Sequence, residues 1–199
     1  MALFQISNDK IMIQVNSMGA ELSSLKDVAT GAEYMWNADP AYWKRTSPVL
    51  FPIVGGLKNG KYCLDGREYP MGQHGFARDM EFRLKSQVAS EIWFTLESDE
   101  ETLSKYPYPF VLEIGYELTD RTVIVKWRVK NPATMLLFVS ASGSCSFLSD
   151  NAKAFSALLP VFLPNSLDNP DKLHSVHPKI PSFRAWHNQF PVSLPPHSY

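Results

Sequence analysis

An antiparallel β-sandwich is the fold class this sequence predicts, on three observations. Short runs of alternating apolar and polar residues recur through the first part of the chain, turn signals separate them, and only one short stretch reads as helix. Ile11, Ile13 and Val15 alternate with Met12, Gln14 and Asn16, the period of a half-buried strand. Tyr62-Cys63-Leu64 and Arg67-Glu68-Tyr69 flank Asp65-Gly66, a type I′ hairpin signal. Residues 92–96 form a further β-rich run. Ser98-Asp99-Glu100-Glu101 has the spacing of a capping box, predicting a helix over 99–105 that Pro107 stops. Residues 113–118 and 122–130 are two more strands joined by Thr119-Asp120-Arg121. In the second, Val123, Val125, Trp127 and Val129 share one face, and Ile124, Lys126, Arg128 and Lys130 the other.

At 199 residues the chain suits one domain, or one domain with a tail. A formal net charge of −1 excludes a generally basic nucleic-acid face. Cys63 and Cys145 make neither a disulfide framework nor a C-x-x-C site. No basic and apolar leader opens the sequence, and no run of ~18 apolar residues suggests a membrane span. A cytoplasmic protein with no nucleic-acid or membrane partner is the expectation.

The composition breaks near Asn131-Pro132. Residues 1–132 hold 17 of the 20 acidic residues and 15 of the 19 Lys and Arg, and no glutamate follows Glu117. Residues 133–199 hold 8 of the 15 prolines and four of the five histidines. The expected division is therefore a sandwich portion over 5–132 and an atypical low-charge, Pro- and Ser-rich tail over 133–199. A shifted reading frame or altered gene end from about residue 134 is the hypothesis this break motivates. Met135–Val139 reads as a possible strand and 155–163 as an apolar run cut by prolines; from Pro164 onward no regular structure is expected. A sandwich missing later strands would leave an open edge and an uncovered apolar face, hence poor solubility or partial disorder.

Gly55 to Lys61 has the spacing of a phosphate-binding loop. The following residue is Tyr62, not the Ser or Thr whose hydroxyl binds Mg²⁺, and the stretch leads into a hairpin, so a turn entering a strand is the better reading. Gln73-His74-Gly75-Phe76-Ala77-Arg78-Asp79 carries more chemistry. Glycines at 72 and 75 permit close backbone approach around His74, which can exchange a proton near neutral pH, and Arg78 offers a planar fork to oxygen ligands. A loop histidine bonded to backbone, with Arg78 paired to Asp79 or Glu81, weighs more on these residues alone. Trp36, Tyr42 and Trp43, followed by Arg45, suit a sugar's apolar face and hydroxyls, or else the core and its rim. His174, His177 and His187 do not make a convincing zinc site, since no helix pairs them and no Glu or Cys accompanies them.

Gly19-Ala20-Glu21-Leu22, residues 33–36 and 42–45, Pro48 to Gly55 and the block 73–79 together resemble aldose 1-epimerases (mutarotases) of the LacX-like branch, over about residues 5–132. The resemblance implies a galactose-mutarotase-like β-sandwich and interconversion of the α and β anomers of a hexose, a small-molecule sugar, with no cofactor and no metal. It implies that His74 holds or protonates the sugar, that Arg78 lines the pocket and that Arg45 contributes to substrate binding; Trp43 joins them as a substrate-binding candidate on the aromatic reading above. After Asn131-Pro132 the family's glycine-x-His-Pro block is not matched: residues 140–147 contain no histidine. The family's late glutamate base has no counterpart either. Lack of activity is thus an expectation beside catalysis, and a non-catalytic carbohydrate-binding protein using Trp36, Trp43, His74 and Arg78 is the alternative. A decayed product without function is a third.

Overall fold

The computed structural model describes residues 1–132 together with 142–143 and 188–193. The expected strand Met135–Val139, the run 155–163, Cys145, His174, His177, His187 and most of 140–147 lie outside the described residues.

The first sheet is β1 (Leu3–Ser7), β2 (Ile11–Asn16) and β3 (Glu21–Asp27), antiparallel in that order. β2 buries Ile11, Ile13 and Val15 on one face, as its alternation predicts. The second sheet is ordered β12-β10-β9-β8-β7, from β12 (Asn188–Ser193), β10 (Thr122–Lys130), β9 (Val111–Thr119), β8 (Glu91–Glu97) and β7 (Arg83–Gln87), all antiparallel. The sheets meet through one core. The ring of Phe4 stands edge-on to Phe94 at 5.3 Å, and the Tyr116 hydroxyl donates to the Ala20 carbonyl at 2.7 Å. Val123, Val125, Trp127 and Val129 pack on this core from one face of β10, and the sandwich expectation is met.

The opposite face of the second sheet is ionic. Glu113 is 2% exposed and receives Lys85 at 2.6 Å, Arg128 at 2.7 Å and Lys130 at 2.8 Å. Burial alone would raise its pKa, but the three cations outweigh that and hold it at about 2. Beside it, the Arg128 guanidinium sits 4.8 Å from the centre of the Trp93 ring.

β5 (Lys61–Leu64) and β6 (Arg67–Pro70) form the expected hairpin, with Asp65 at φ +49° and Gly66 at +78°, the pair of positive angles a type I′ turn requires. The glycine-rich stretch before it is a 3-10 turn running into β5, not a helix start. Helix α1 (Glu100–Lys105) begins one residue later than its sequence suggested. Asp99, not Ser98, is the cap: its side chain accepts the Thr102 N–H at 2.8 Å while the Thr102 hydroxyl accepts the Asp99 N–H at 2.8 Å. A carboxylate displaces the neighbouring serine, whose oxygen instead accepts the Phe110 N–H at 3.2 Å.

Two strands involve later residues. β4 (Val49–Leu50) pairs with β11 (Ser142–Gly143), and β12 lies along the edge of β10, from Thr122 opposite Ser193 to Trp127 opposite Asn188. No regular structure was expected there. Pro191 argues against a central strand, and an edge position is where a strand proline is tolerated.

Candidate functional site

The chain leaves β4 at Phe51, and the loop 72–79 folds back over that residue. The Phe51 carbonyl accepts the N–H of Phe76 at 2.9 Å and of Ala77 at 3.2 Å. Gly75 lies so close that a Cβ there would stand 2.1 Å from the same oxygen, and its φ is +75°. His74 also has a positive φ, +64°, which a non-glycine residue adopts only where surrounding contacts impose it.

Those contacts come from Gly55. The His74 N–H donates to the Gly55 carbonyl at 2.7 Å, and the Gly55 N–H donates to Nδ1 of the His74 ring at 2.9 Å. A nitrogen that accepts cannot carry the proton, so the neutral ring holds its proton on Nε2. No described residue takes the Nε2–H bond. Partial burial lowers the His74 pKa, and the nearby Arg78 charge lowers it further, both favouring the neutral imidazole. The histidine is half-buried, neither locked in the core nor fully in solvent.

Arg78 donates from Nη2 to the Gln73 carbonyl at 2.9 Å, bracing the loop across His74. Its Nε lies 3.4 Å from Asp79 Oδ2 and makes no hydrogen bond although buried. Arg45 binds the same loop: Nη1 donates to the Arg78 carbonyl at 3.0 Å, Nη2 donates to Asp79 Oδ1, and Glu21 stands 3.7 Å away. Glu21 is buried and accepts the Thr46 N–H at 2.6 Å, the Thr46 hydroxyl at 2.8 Å and the Ser47 N–H at 3.0 Å. Gly19 packs on the far end of the loop, where a Cβ would lie 2.7 Å from the Arg78 oxygen.

Trp43 is 37% exposed, and its carbonyl accepts the Trp36 indole N–H at 2.7 Å. It belongs to a neighbouring loop joined to the histidine loop through Arg45, two residues further on. The structure thus places His74 and Arg78 on one loop, ties Arg45 to that loop by protein contacts, and leaves Trp43 two residues before Arg45 with its carbonyl bonded to Trp36.

A sequence profile described as Aldose 1-epimerase matches residues 2–141. The chain belongs to the aldose 1-epimerase family. It is 33% identical over 145 residues to the plasmid-borne Protein LacX of Lactococcus lactis subsp. lactis, covering 69% of this chain and 48% of that protein. The chromosomal LacX of the same organism is 32% identical over the same coverage. Among solved structures, a galactose mutarotase related enzyme from Lactobacillus acidophilus superposes with a TM-score of 0.73 at 35% identity, covering 76% of this chain and 51% of that one. A galactose mutarotase-like protein from Lactobacillus casei gives 0.71 at 35% identity, covering 73% and 50%. The chain spans about half the length of the curated relatives it matches.

In this epimerase-family chain, sequence reasoning missed Gly55, the Phe51 carbonyl and Glu21 as parts of the site. Gly55, at φ +90°, offered one signal, its place in a glycine pair between two apolar blocks. Glu21 lies in the Gly19-to-Leu22 block of the family resemblance, but a buried carboxylate reads like any charged surface residue until its partners are known. Among the described residues no group of three His, Cys, Asp or Glu is placed to hold a metal ion. No helix among them is long and apolar enough to cross a membrane.

Proposed function

We propose that this chain binds the pyranose ring of a hexose at the 73–79 loop and interconverts its α and β anomers by acid–base catalysis. Opening the ring requires a hydrogen-bond or proton donor at the ring oxygen and an acceptor for the anomeric hydroxyl proton. The observation that carries the reading is the His74–Gly55 pair, which presents a neutral imidazole with its proton on Nε2 and no protein acceptor among the described residues. That nitrogen donates to a sugar oxygen, Arg78 adds a second donor, and the Trp43 ring stacks on the sugar's C–H face. Arg45, with protein partners on each side, acts by holding Arg78 and Asp79. An exposed, free Cys63 suits a reducing compartment, and cytoplasmic location goes with the reading.

Binding without turnover is the second reading. Asp79, the carboxylate on the loop, is already paired with Arg45 and Arg78. Polarimetry on freshly dissolved α-glucose and α-galactose decides between them. Acceleration lost in His74→Ala supports the epimerase, saturable binding without acceleration supports the binding protein, and neither result overturns both. The division at about residue 132, and a frame shift behind it, we also propose on the composition break. Sequencing the locus tests it: an intact alternative frame encoding a Gly-x-His-Pro block supports it, and in-frame homologous tails refute it.

A further inference from the structure

Resting on the reading of His74 as the sugar's hydrogen-bond donor, we infer that Glu21 is a positioning residue for that histidine, acting through Arg45 on the 73–79 loop without meeting the ligand. A buried carboxylate is destabilising unless hydrogen bonds and a cation offset its lost water. Glu21 is 8% exposed, and what offsets it comes from three consecutive residues. Its Oε1 accepts from the Thr46 N–H, the Thr46 hydroxyl and the Ser47 N–H, and its Oε2 faces Arg45 Nη1 at 3.7 Å. Glu21 is itself fixed from two sides. The turn before it runs through Gly19 and Ala20 with φ angles of +72° and +46°. The Gly19 N–H donates to the Met80 carbonyl at 2.7 Å, just past the histidine loop, and Tyr116 of the second sheet donates to the Ala20 carbonyl. A left-handed alanine persists only where its surroundings impose it, so these contacts set where the carboxylate stands.

From Glu21 the connection to His74 is continuous. With Thr46 and Ser47 held, Arg45 extends its fork to the Arg78 carbonyl and the Asp79 carboxylate. Arg78 in turn donates to the Gln73 carbonyl, so the loop is braced on both sides of His74. Inside that brace His74 keeps its φ of +64°, and its Nδ1 keeps the Gly55 N–H at 2.9 Å. A glutamine at 21 conserves an acceptor oxygen for Thr46 and Ser47 but removes the negative charge facing the guanidinium. The Arg45 fork then turns towards solvent, the far end of the loop loosens, and the strained His74 backbone relaxes away from Gly55. Glu21 thus governs where the Nε2 proton points.

NMR of the isotope-labelled full chain tests this through the scalar coupling across the hydrogen bond from the Gly55 N–H to His74 Nδ1, with no sugar present. The wild type should show the coupling and Glu21→Gln should lose it. Affinity for glucose and galactose should fall about ten-fold in that variant, the loss of roughly one hydrogen bond to a sugar oxygen. Ser47→Ala is the control: it removes the 2.9 Å bond from the Ser47 hydroxyl to the Leu22 carbonyl on the same segment and leaves Glu21 facing Arg45, so the coupling should remain. Arg45→Met should lose the coupling as Glu21→Gln does, and it carries the test should Glu21→Gln not fold. A coupling that survives in either of those variants, is also abolished by Ser47→Ala, or is absent from the wild type overturns the positioning role. Adding Glu21→Gln to Arg45→Met should lower sugar affinity no further, and an added loss overturns the route through Arg45. A coupling lost in Glu21→Gln with sugar affinity unchanged supports the hold on His74 and overturns His74 as the sugar's donor, so the two readings fail separately.

Discussion

Adding one methyl group at Gly75 measures how tightly the histidine loop is held. The new Cβ would lie 2.1 Å from the Phe51 oxygen and 2.4 Å from its carbonyl carbon, against an ordinary contact of 3.4–4 Å. Loop and strand must therefore part by more than an ångström, which stretches the two hydrogen bonds that Phe76 and Ala77 donate to Phe51. The positive φ costs an alanine about 1–2 kcal/mol, and the steric displacement about 1–3 kcal/mol more. The expected loss is about 2–5 kcal/mol, a large share of the ~5–15 kcal/mol typical of a domain. Gly31 is the control. Its φ is +74°, nearly the same, but nothing lies within 4 Å of its notional Cβ. Gly31→Ala should cost about 1–2 kcal/mol, the backbone part alone. Urea unfolding of the wild type and both variants gives the two losses, and sugar titration shows whether His74 is still presented. Equal losses in the two variants, or a Gly75→Ala protein that binds sugar as the wild type does, would refute the claim that this close approach sets the loop.

Three further outcomes follow from the same structure. Glu113, whose folded pKa is about 2 against an ordinary 4.5, contributes stability above pH 4.5 that is lost as pH falls towards 2. The cations around it are 38–52% exposed, so Glu113→Gln should cost about 2 kcal/mol at pH 7 and flatten the acid limb, and an unchanged limb on denaturant titration would exclude the cluster as its source. The folded His74 pKa lies below its ordinary 6.5, so the unfolded ring takes up its proton first. Its contribution should be complete above pH 6.5 and decline as pH falls from there, along with sugar binding, because protonation removes the Nδ1 acceptor from Gly55. The difference in stability between wild type and His74→Asn across pH 5–8 checks this, and a contribution that grows on acidification would contradict it. Asp99→Ala removes the true helix cap and should lower stability by about 1 kcal/mol, with Ser98→Ala the milder change by thermal melting.

Much of the sandwich could be read from residue order, and the failures have local causes. β2 and the β9–β10 pair each have one face in the core and one outside it, so their alternation is plain. β3 is harder because a register shift at Gln14/Val15 and the burial of Glu21 and Asp27 spoil its period. β7 is exposed along its whole length, and Arg-Leu-Lys-Ser-Gln at a sheet edge carries no apolar pattern to detect. At the site, glycines flanking a histidine marked the loop, and the bonded-to-backbone alternative describes one ring nitrogen correctly. What could not be read was which nitrogen: that depends on Gly55, distant in sequence and adjacent only after folding. Arg45 shows the same limit, since an arginine in a motif does not reveal which carbonyl and carboxylate of its own chain it bonds until the chain is folded.

The seam between β10 and β12 joins residues far apart along the polypeptide. During synthesis β7 to β10 emerge long before the segment that pairs with the outer rim of β10, so that row of amides and carbonyls waits uncovered on the ribosome. In that interval the open edge is a template on which another nascent chain can pair. Yield of correctly assembled protein should therefore depend on translation speed and crowding of polysomes more than on the equilibrium strength of the finished sheet.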